Sequence, residues 1–237
     1  MPLPKIMHPQ FDILIPSTNK KIKFRQFLVK EEKILLVAKS SEDDNDILSA
    51  IKQVVNNCSL DDSFDVDKIA LFDLEYVFLK LRSLSVNNVV KLSFRDFEDD
   101  KLYDFEVNLD EVQVVMPKNN DNKITVNDKV GIVMRYPTAS LYSDKSFLNS
   151  TPENATIDLV VRCIDKVYDD DNIYDAKNFT LQDLVGFIEE LDVKSYEKIN
   201  EFLTNAPRMS HVIKYKNSLN NDRTITLNTL NDFFTLR

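Results

Sequence analysis

Two histidines, two cysteines and a few adjacent carboxylates are the side chains in this chain that could do chemistry. His8 and His211 are the only imidazoles, and Cys58 and Cys163 are the only thiols. A hydroxyl or thiol nucleophile needs a histidine base that a third group orients. His8 lies in a proline-flanked segment and His211 lies in an apparent strand, MSHVIKY. We therefore predict structural roles for both and no enzymatic activity, with a hydrolase using His211 as the enzymatic alternative.

The paired carboxylates do not have the spacing of a catalytic acid and base. Glu189–Glu190 and Asp61–Asp62 are sequence neighbours. Neighbouring side chains on a helix point in different directions, so neither pair can flank one scissile bond. The acidic run at 42–46 lacks the turn glycine of a calcium-binding loop. We expect a solvated loop there.

Glycine and cysteine are too few for the common cofactor and metal sites. The chain has two glycines, Gly131 and Gly186, whereas a phosphate-binding loop needs several close together. Two histidines and two distant cysteines do not make a metal cage. We predict no cofactor and no metal. Cys58 and Cys163 are expected to be buried, reduced thiols, and a disulfide between them stays open.

Composition and charge exclude further classes of protein. Among the 237 residues, 43% are hydrophobic and 29% are charged, which predicts a folded core rather than disorder. The net charge of −9 argues against a nucleic-acid partner. A local basic patch, Lys20, Lys21, Lys23 and Arg25, is interpreted as the solvated face of a strand. No apolar run approaches the roughly 18 residues that span a bilayer, and no signal sequence is evident, so we expect synthesis in a cytoplasm and no membrane partner.

The segment FDLEYVFLKLRSLSVN predicts the best-defined helix. An apolar stripe repeats at spacings of three and four and consists of Leu71, Leu74, Val77, Phe78 and Leu81. The other side carries Asp73, Glu75, Lys80 and Arg82. Such an amphipathic helix packs its stripe against a core.

Alternating apolar residues predict several antiparallel hairpins. The first follows residue 10, the second covers VVKLSFRDF and LYDFEVNLDEVQVV, and a third β unit is ITVNDKVGIVMRYP. Further along, ATIDLVVRCIDKVY and LQDLVGFIEEL are predicted helices, the latter capped by Thr180. MSHVIKY and RTITLNTL predict a closing hairpin.

These elements predict an α+β fold with antiparallel β hairpins and inserted helices in the N-terminal half. The C-terminal half is predicted to be helix-rich and to close with a hairpin. We expect a β-rich α+β domain with an N-terminal arm at 1–137, a linker at 138–154, and a helical domain with the C-terminal hairpin at 155–237. The linker assignment rests on the polar, irregular sequence TASLYSDKSFLNSTPEN.

Both ends of the chain supply candidate interface residues. The arm, residues 1–10, contains three prolines and is expected to be extended. An extended arm can reach a neighbouring protein. The predicted interface residues are Pro2, Pro4, Ile6 and Pro9 in the arm, and Phe233 and Phe234 in the tail; packing of these two phenylalanines in the chain's own core is the alternative.

Several segments together resemble the baseplate hub subunit and hub-assembly protein family of T-even-type contractile-tailed bacteriophages. The segments are MPLPKI, FRQFLVKEEKILL, FDLEYVFLKLRSLSVN, LVGFIEELDVKSYEKINEFLTNAPRMSHVIKYKN and LNDFF, in the family's order. Some members carry cysteines and a glycine in the turn after the strand that here reads HVIKY, as if for a small metal site. Here that turn reads Lys216, Asn217, Ser218, Leu219, Asn220, so no zinc is expected.

The resemblance implies a non-enzymatic structural or assembly protein of the tail baseplate hub. Its implied partners are other baseplate hub proteins and the tail tape-measure protein, and self-association stays open. The implied location is the virion or, during assembly, the host cytoplasm. A transient chaperone for the tape-measure or hub proteins, absent from the mature virion, is the alternative.

Overall fold

The computed structural model describes residues 6–41, 43–118 and 121–233, and the predicted α+β class is confirmed. Every strand pairing in the described chain is antiparallel. The chain divides into two compact units. Unit 1 comprises Met1–Val115 and Arg208–Arg237, and unit 2 comprises Met116–Pro207.

Unit 1 combines three helices with three small antiparallel sheets and a short terminal helix. Its elements before the excursion into unit 2 are β1 (Gln10–Ile15), β2 (Lys20–Arg25), α1 (Val29–Ser41), α2 (Asp44–Cys58), α3 (Leu71–Ser85), β3 (Val89–Arg95), β4 (Leu102–Asn108) and β5 (Gln113–Val115).

Unit 2 contains one four-stranded sheet of order β6-β7-β8-β9 and four helices. Its elements are β6 (Lys123–Thr125), β7 (Gly131–Met134), α4 (Lys145–Leu148), α5 (Pro152–Arg162), β8 (Ile164–Tyr168), β9 (Ile173–Asp175), α6 (Leu181–Glu189) and α7 (Val193–Thr204). The chain then returns to unit 1 through β10 (Arg208–Lys216), β11 (Asp222–Leu227) and α8 (Leu230–Phe233).

The predicted helix over 72–87 is α3, and it lies in the core of unit 1. All the stripe residues except Leu71 are buried, as expected. Phe72, Leu79 and Asp73 are buried as well, so the helix is enclosed on more sides than its sequence indicates. Asp73 accepts hydrogen bonds from the backbone N–H of Ser17, at 3.0 Å, and from its hydroxyl, at 2.5 Å.

A buried ion pair holds the start of α1 against the end of β2. Glu31 is fully buried, and its carboxylate lies 2.9 Å from Nη2 of Arg25. Arg25 also donates to the carbonyl of Asn57, at 2.8 Å, near the end of α2. Burial opposes the charge on Glu31, but the hydrogen bonds from Arg25 and from the N–H of Leu28 hold its pKa below its ordinary value. One guanidinium therefore connects three consecutive elements.

Two antiparallel hairpins pack face to face in unit 1, and we call β3–β4 together with β10–β11 the hairpin pair. The register places Phe94 opposite Tyr103 and Leu92 opposite Phe105 on one face of β3–β4. The ring of Tyr215, on β10, lies 5.0 Å from that of Tyr103 and 5.1 Å from that of Phe105. These aromatic contacts join segments more than 100 residues apart in the sequence.

The two units differ from the predicted domain division. The C-terminal hairpin, expected with the helical domain at 155–237, belongs to unit 1 because β10 pairs with β5 over Arg208–Ser210. Residues 138–154, expected to be a linker, lie within unit 2, where Ala139 and Leu141 are buried. Apolar burial there outweighs the polar composition of the segment.

One segment that was predicted to be a single helix forms a helix followed by a strand. In ATIDLVVRCIDKVY the helix α5 ends at Arg162, and the rest forms β8, which pairs with β7 and β9. The last five residues also contain Ile164, Val167 and Tyr168, whose side chains are common in strands, and pairing with the neighbouring strands selects the strand. Gly131 on β7 pairs with Tyr168 on β8, and a Cβ at Gly131 would overlap the ring of Tyr168.

The start of α8 is held by a half-buried carboxylate with a raised pKa. Glu75 of α3 accepts a hydrogen bond from the N–H of Leu230, and burial together with the charge of Asp232 raises its pKa from 4.5 to about 7. Native Glu75 therefore binds its proton more tightly than the unfolded chain does. The free energy of unfolding therefore falls as the pH rises from about 4.5 to 7.

We predict that Glu75→Gln stabilises the protein at pH 8 and changes little at pH 4. The amide can still accept from Leu230 but carries no charge, and at about 1.4 kcal/mol per pKa unit the gain is about 1–3 kcal/mol. Urea unfolding at both pH values measures it. Glu190→Gln, at an exposed position, is the matched control, and an equal gain in the control would contradict the prediction.

Candidate interaction site

The side chains that could do chemistry lie apart from one another. His8 precedes β1, and His211 is half-buried on β10. In the part of the chain that the structure describes, neither imidazole has a hydrogen-bonded carboxylate or hydroxyl. Across the same residues, no group of three histidines, cysteines or carboxylates is placed to hold a metal ion.

Both cysteines are free and buried, one in each unit. Burial raises the pKa of the Cys58 thiol to about 11 and that of the Cys163 thiol to about 12. A nucleophilic cysteine needs a lowered thiol pKa. These thiols are therefore packing groups, which matches the expectation of two buried, reduced cysteines.

The charged groups along a surface pocket of unit 2 are already paired. This pocket, of about 320 Å³, is lined in part by Arg135, Asp144 and Arg162. Arg162 lies 2.9 Å from Asp144 and 2.8 Å from Asp158. Arg135 donates to the carbonyl of Arg162, at 3.0 Å. The charges stabilise the connection between α4 and α5, and they do not converge on an open position.

The basic patch has the geometry predicted for it. Lys20, Lys21 and Lys23 are exposed, whereas Ile22 and Phe24 between them are buried. The alternation is that of a strand with one solvated face. The fourth predicted member, Arg25, binds Glu31 instead. Nothing in this arrangement is a groove for phosphates.

The predicted interface residues fall into three groups. Pro2, Pro4 and Phe234 lie outside the described residues. Ile6 is 76% exposed and Pro9 is exposed, so both are accessible to a partner. Phe233 is 1% exposed. Its ring packs in the core of unit 1, as the alternative prediction of core packing has it. Phe233 is therefore not available as a surface contact.

A surface that the sequence patterns did not indicate lies at the end of the hairpin pair. There the turn at 96–101 meets the turn at 217–221, and we call these two turns the closed tip. Asp96 is fully buried. Its carboxylate accepts from the hydroxyl of Tyr215, at 2.5 Å, and from Nε of Arg223, at 3.1 Å.

Two further carboxylates extend this network to the second turn. Glu98 accepts from the side-chain amides of Asn217, at 2.6 Å, and Asn221, at 2.7 Å. Asp99 accepts from the backbone N–H of Ser218, at 2.9 Å, and from its hydroxyl, at 2.8 Å. Hydrogen bonds with a charged partner are stronger than neutral ones, so each turn fixes the conformation of the other.

The network favours the ionised forms of Asp96 and Asp99. Hydrogen bonding from Tyr215 holds the pKa of Asp96 below its ordinary value, against the effect of burial and with help from Arg223. Burial acts against Asp99 too, but the donors Tyr103 and Ser218 lower its pKa strongly. The turns also need left-handed backbone, and Asp100 and Asn220 supply it at φ of 57° and 64°. Asparagine and aspartate tolerate this conformation better than other residues with a Cβ.

The closed tip presents apolar side chains to solvent. Phe97 is 87% exposed, and Leu219 in the opposite turn is 57% exposed. The ring of Phe97 contacts that of Phe94 edge-on, with centroids 6.1 Å apart. Fixed aromatic side chains at the surface are the usual anchors of protein–protein contacts. The only sequence signal was a phenylalanine inside an acidic turn, DFEDDK.

The accessible features of the described surface include exposed apolar side chains, Phe97 and Leu219 among them. In the described residues no helix has the length and apolar character needed to cross a membrane. A protein-family model described as T4 bacteriophage base plate protein matches residues 8–235. No curated protein and no solved structure matches the chain.

The chain belongs to the T4 bacteriophage base plate protein family, because the match covers nearly its whole length. Membership agrees with the resemblance inferred from the residues at the level of a T4-type phage baseplate protein. It suggests a structural or assembly role in the tail baseplate, with other baseplate proteins as partners.

We predict that Asp96→Asn lowers the melting temperature at pH 7 and lowers it less near pH 3. The pKa of Asp96 is lowered in the folded state, so its contribution is present above the unfolded pKa and is lost as the pH falls. Differential scanning calorimetry at both pH values measures the change.

Asp100→Asn is the matched control for this substitution. It lies in the same turn and keeps a residue that tolerates positive φ. It removes only the exposed ion pair with Arg95, which contributes at most about 1 kcal/mol. If both variants melt at the same temperature, the closed tip is not held by the buried carboxylate.

Proposed function

We propose that this protein is a non-enzymatic structural component of the baseplate hub that acts in tail assembly through protein–protein contacts. The partners proposed are other hub proteins and the tail tape-measure protein. The proposed sites are the arm, including Ile6 and Pro9, and the closed tip with Phe97 at its centre.

The observation that carries the proposal is the exposure of Phe97 on a turn that is held rigid. A flexible turn would lose conformational freedom on binding, and that loss reduces affinity. Here Asp96, Glu98 and Asp99 are already bonded to the opposite turn. Phe97 can therefore enter a partner's pocket without ordering the turn first.

The accessible chemistry of the described residues supports contacts rather than catalysis. The imidazoles are separated, the thiol pKa values are raised, and the charged side chains of the unit 2 pocket bind one another. An assembly chaperone that leaves the finished particle would use the same surfaces. The composition of purified virions separates the two roles.

We predict that Phe97→Ser reduces the yield of infectious particles at least about tenfold while the melting temperature stays nearly unchanged. The ring is exposed, so its removal opens no cavity in the core, and hot-spot aromatics contribute more than 1 kcal/mol to binding. The readouts are plaque titre after complementation and the melting curve of the purified variant.

Val212→Ser is the control for Phe97→Ser, because Val212 is also exposed on the hairpin pair but lies in mid-strand on β10. Its expected effect on titre is small. A wild-type titre for Phe97→Ser would remove the closed tip from the proposal, and equal losses in both variants would indicate a general surface effect.

Two experiments test the arm as an interface and the presence of the protein in the mature particle. Deletion of residues 1–9, which stops before β1 at Gln10, is expected to weaken hub assembly and to leave the melting temperature nearly unchanged. Mass spectrometry of purified wild-type particles is expected to detect peptides of this chain. Their absence would favour the transient chaperone, and an unchanged phage yield after the deletion would exclude the arm as an interface.

A further inference from the structure

Helix α1 exposes an apolar face that nothing in the described chain covers. Its inner side buries Glu31 and Ala38. On the outer side, Val29 is 71% exposed, Leu36 is 60% exposed and Val37 is 70% exposed. At about 100° per residue, Val29 and Leu36 lie on one line along the helix, and Val37 lies about 100° further around it than Leu36. A solvated helix face normally carries polar residues instead.

An apolar groove runs beside this face within unit 1. Its volume is about 260 Å³. Its walls come from α1, α2, α3 and α8 and include Leu35, Leu36, Ile47, Ile51, Phe78 and Leu230. Three charged residues, Glu32, Lys39 and Arg82, also line the groove. The groove is thus suited to an apolar side chain that arrives together with charged neighbours.

The charges on α1 have the order required for pairing with themselves. Glu32 and Lys39 are seven residues apart, about two turns, so they lie on the same side of the helix. Their midpoint falls between Leu35 and Leu36. A two-fold axis through that point sets Glu32 of each copy opposite Lys39 of the other, and sets Leu36 of each copy against Leu35 of the other. A two-fold contact requires this reciprocity, in which one residue meets a second and the second meets the first.

We propose that this protein forms a two-fold symmetric dimer in which α1 packs antiparallel against α1 of a second copy. Leu36 of each copy enters the apolar groove of the other, and two Glu32–Lys39 pairs flank the contact. The dimer covers Leu35 and Leu36 of α1 and leaves Phe97, on the hairpin pair, for other partners. The proposal does not depend on a baseplate role.

Sedimentation equilibrium of the full chain tests the dimer directly. Between about 5 and 200 µM, mass action should move the average mass from 27.5 kDa toward twice that value. Leu36→Asp should keep the protein monomeric throughout. Val193→Asp, at an exposed position on α7 in unit 2, should dimerise like the wild type. Circular dichroism confirms that each variant is folded.

Charge reversal tests the antiparallel geometry. Glu32→Lys and Lys39→Glu each place like charges opposite one another twice, and each should weaken dimerisation about tenfold. The double variant restores both pairs and should dimerise within about threefold of wild type. An equimolar mixture of the two single variants should form a heterodimer, because each then supplies the charge that the other needs.

The proposal is overturned if the wild-type chain stays monomeric, if the dimer survives Leu36→Asp, or if the mixture of the charge variants does not associate. A strong dimer with no response to charge reversal would place the two-fold axis elsewhere and would equally reject this pairing. These measurements of association are independent of phage titre. A chain that is monomeric but still needed for infectivity would therefore contradict the dimer and would not contradict the proposed hub function.

Discussion

A carboxylate in a protein interior is unfavourable unless donors surround it, and this constraint organises unit 1. Its described part buries three carboxylates, those of Glu31, Asp73 and Asp96. Their donors come from other segments, namely Arg25, Ser17, and Tyr215 with Arg223. Across the described chain every buried side-chain nitrogen and oxygen has a partner. Each of these carboxylates therefore fixes the position of a neighbouring segment as well as its own.

The same constraint explains why unit 1 can offer apolar groups to other proteins and remain specifically folded. The ion pair of Arg25 and Glu31 holds the first turn of α1 from inside, while Leu36 and Val37 stay exposed outside. At the closed tip, Asp96 and its donors hold the turn that carries Phe97. In a member of a phage baseplate protein family, surfaces held in this way suit contacts with other baseplate proteins.

Much of the candidate site could not be predicted from the sequence, for a physical reason that particular residues illustrate. Tyr215 and Asp96 are 119 residues apart and meet only because two hairpins pack face to face. Asp73 was expected on a polar side, since carboxylates are usually exposed, yet the turn at Ser17 encloses it. Pattern analysis assigns each residue its commonest environment, and long-range donors are what make an uncommon environment stable.

Local chemistry alone determined the class of fold, the hairpins and the stripe of α3, because strand alternation and helical spacing are properties of consecutive residues. It also determined the cap of α6, where Thr180 and Asp183 bond reciprocally. Only the tertiary structure decided that β10 joins β5 and carries the C-terminal hairpin into unit 1, and that IDKVY becomes β8 rather than helix. These outcomes depend on pairing with strands elsewhere in the sequence, and the residues of a strand do not by themselves determine which strand it pairs with.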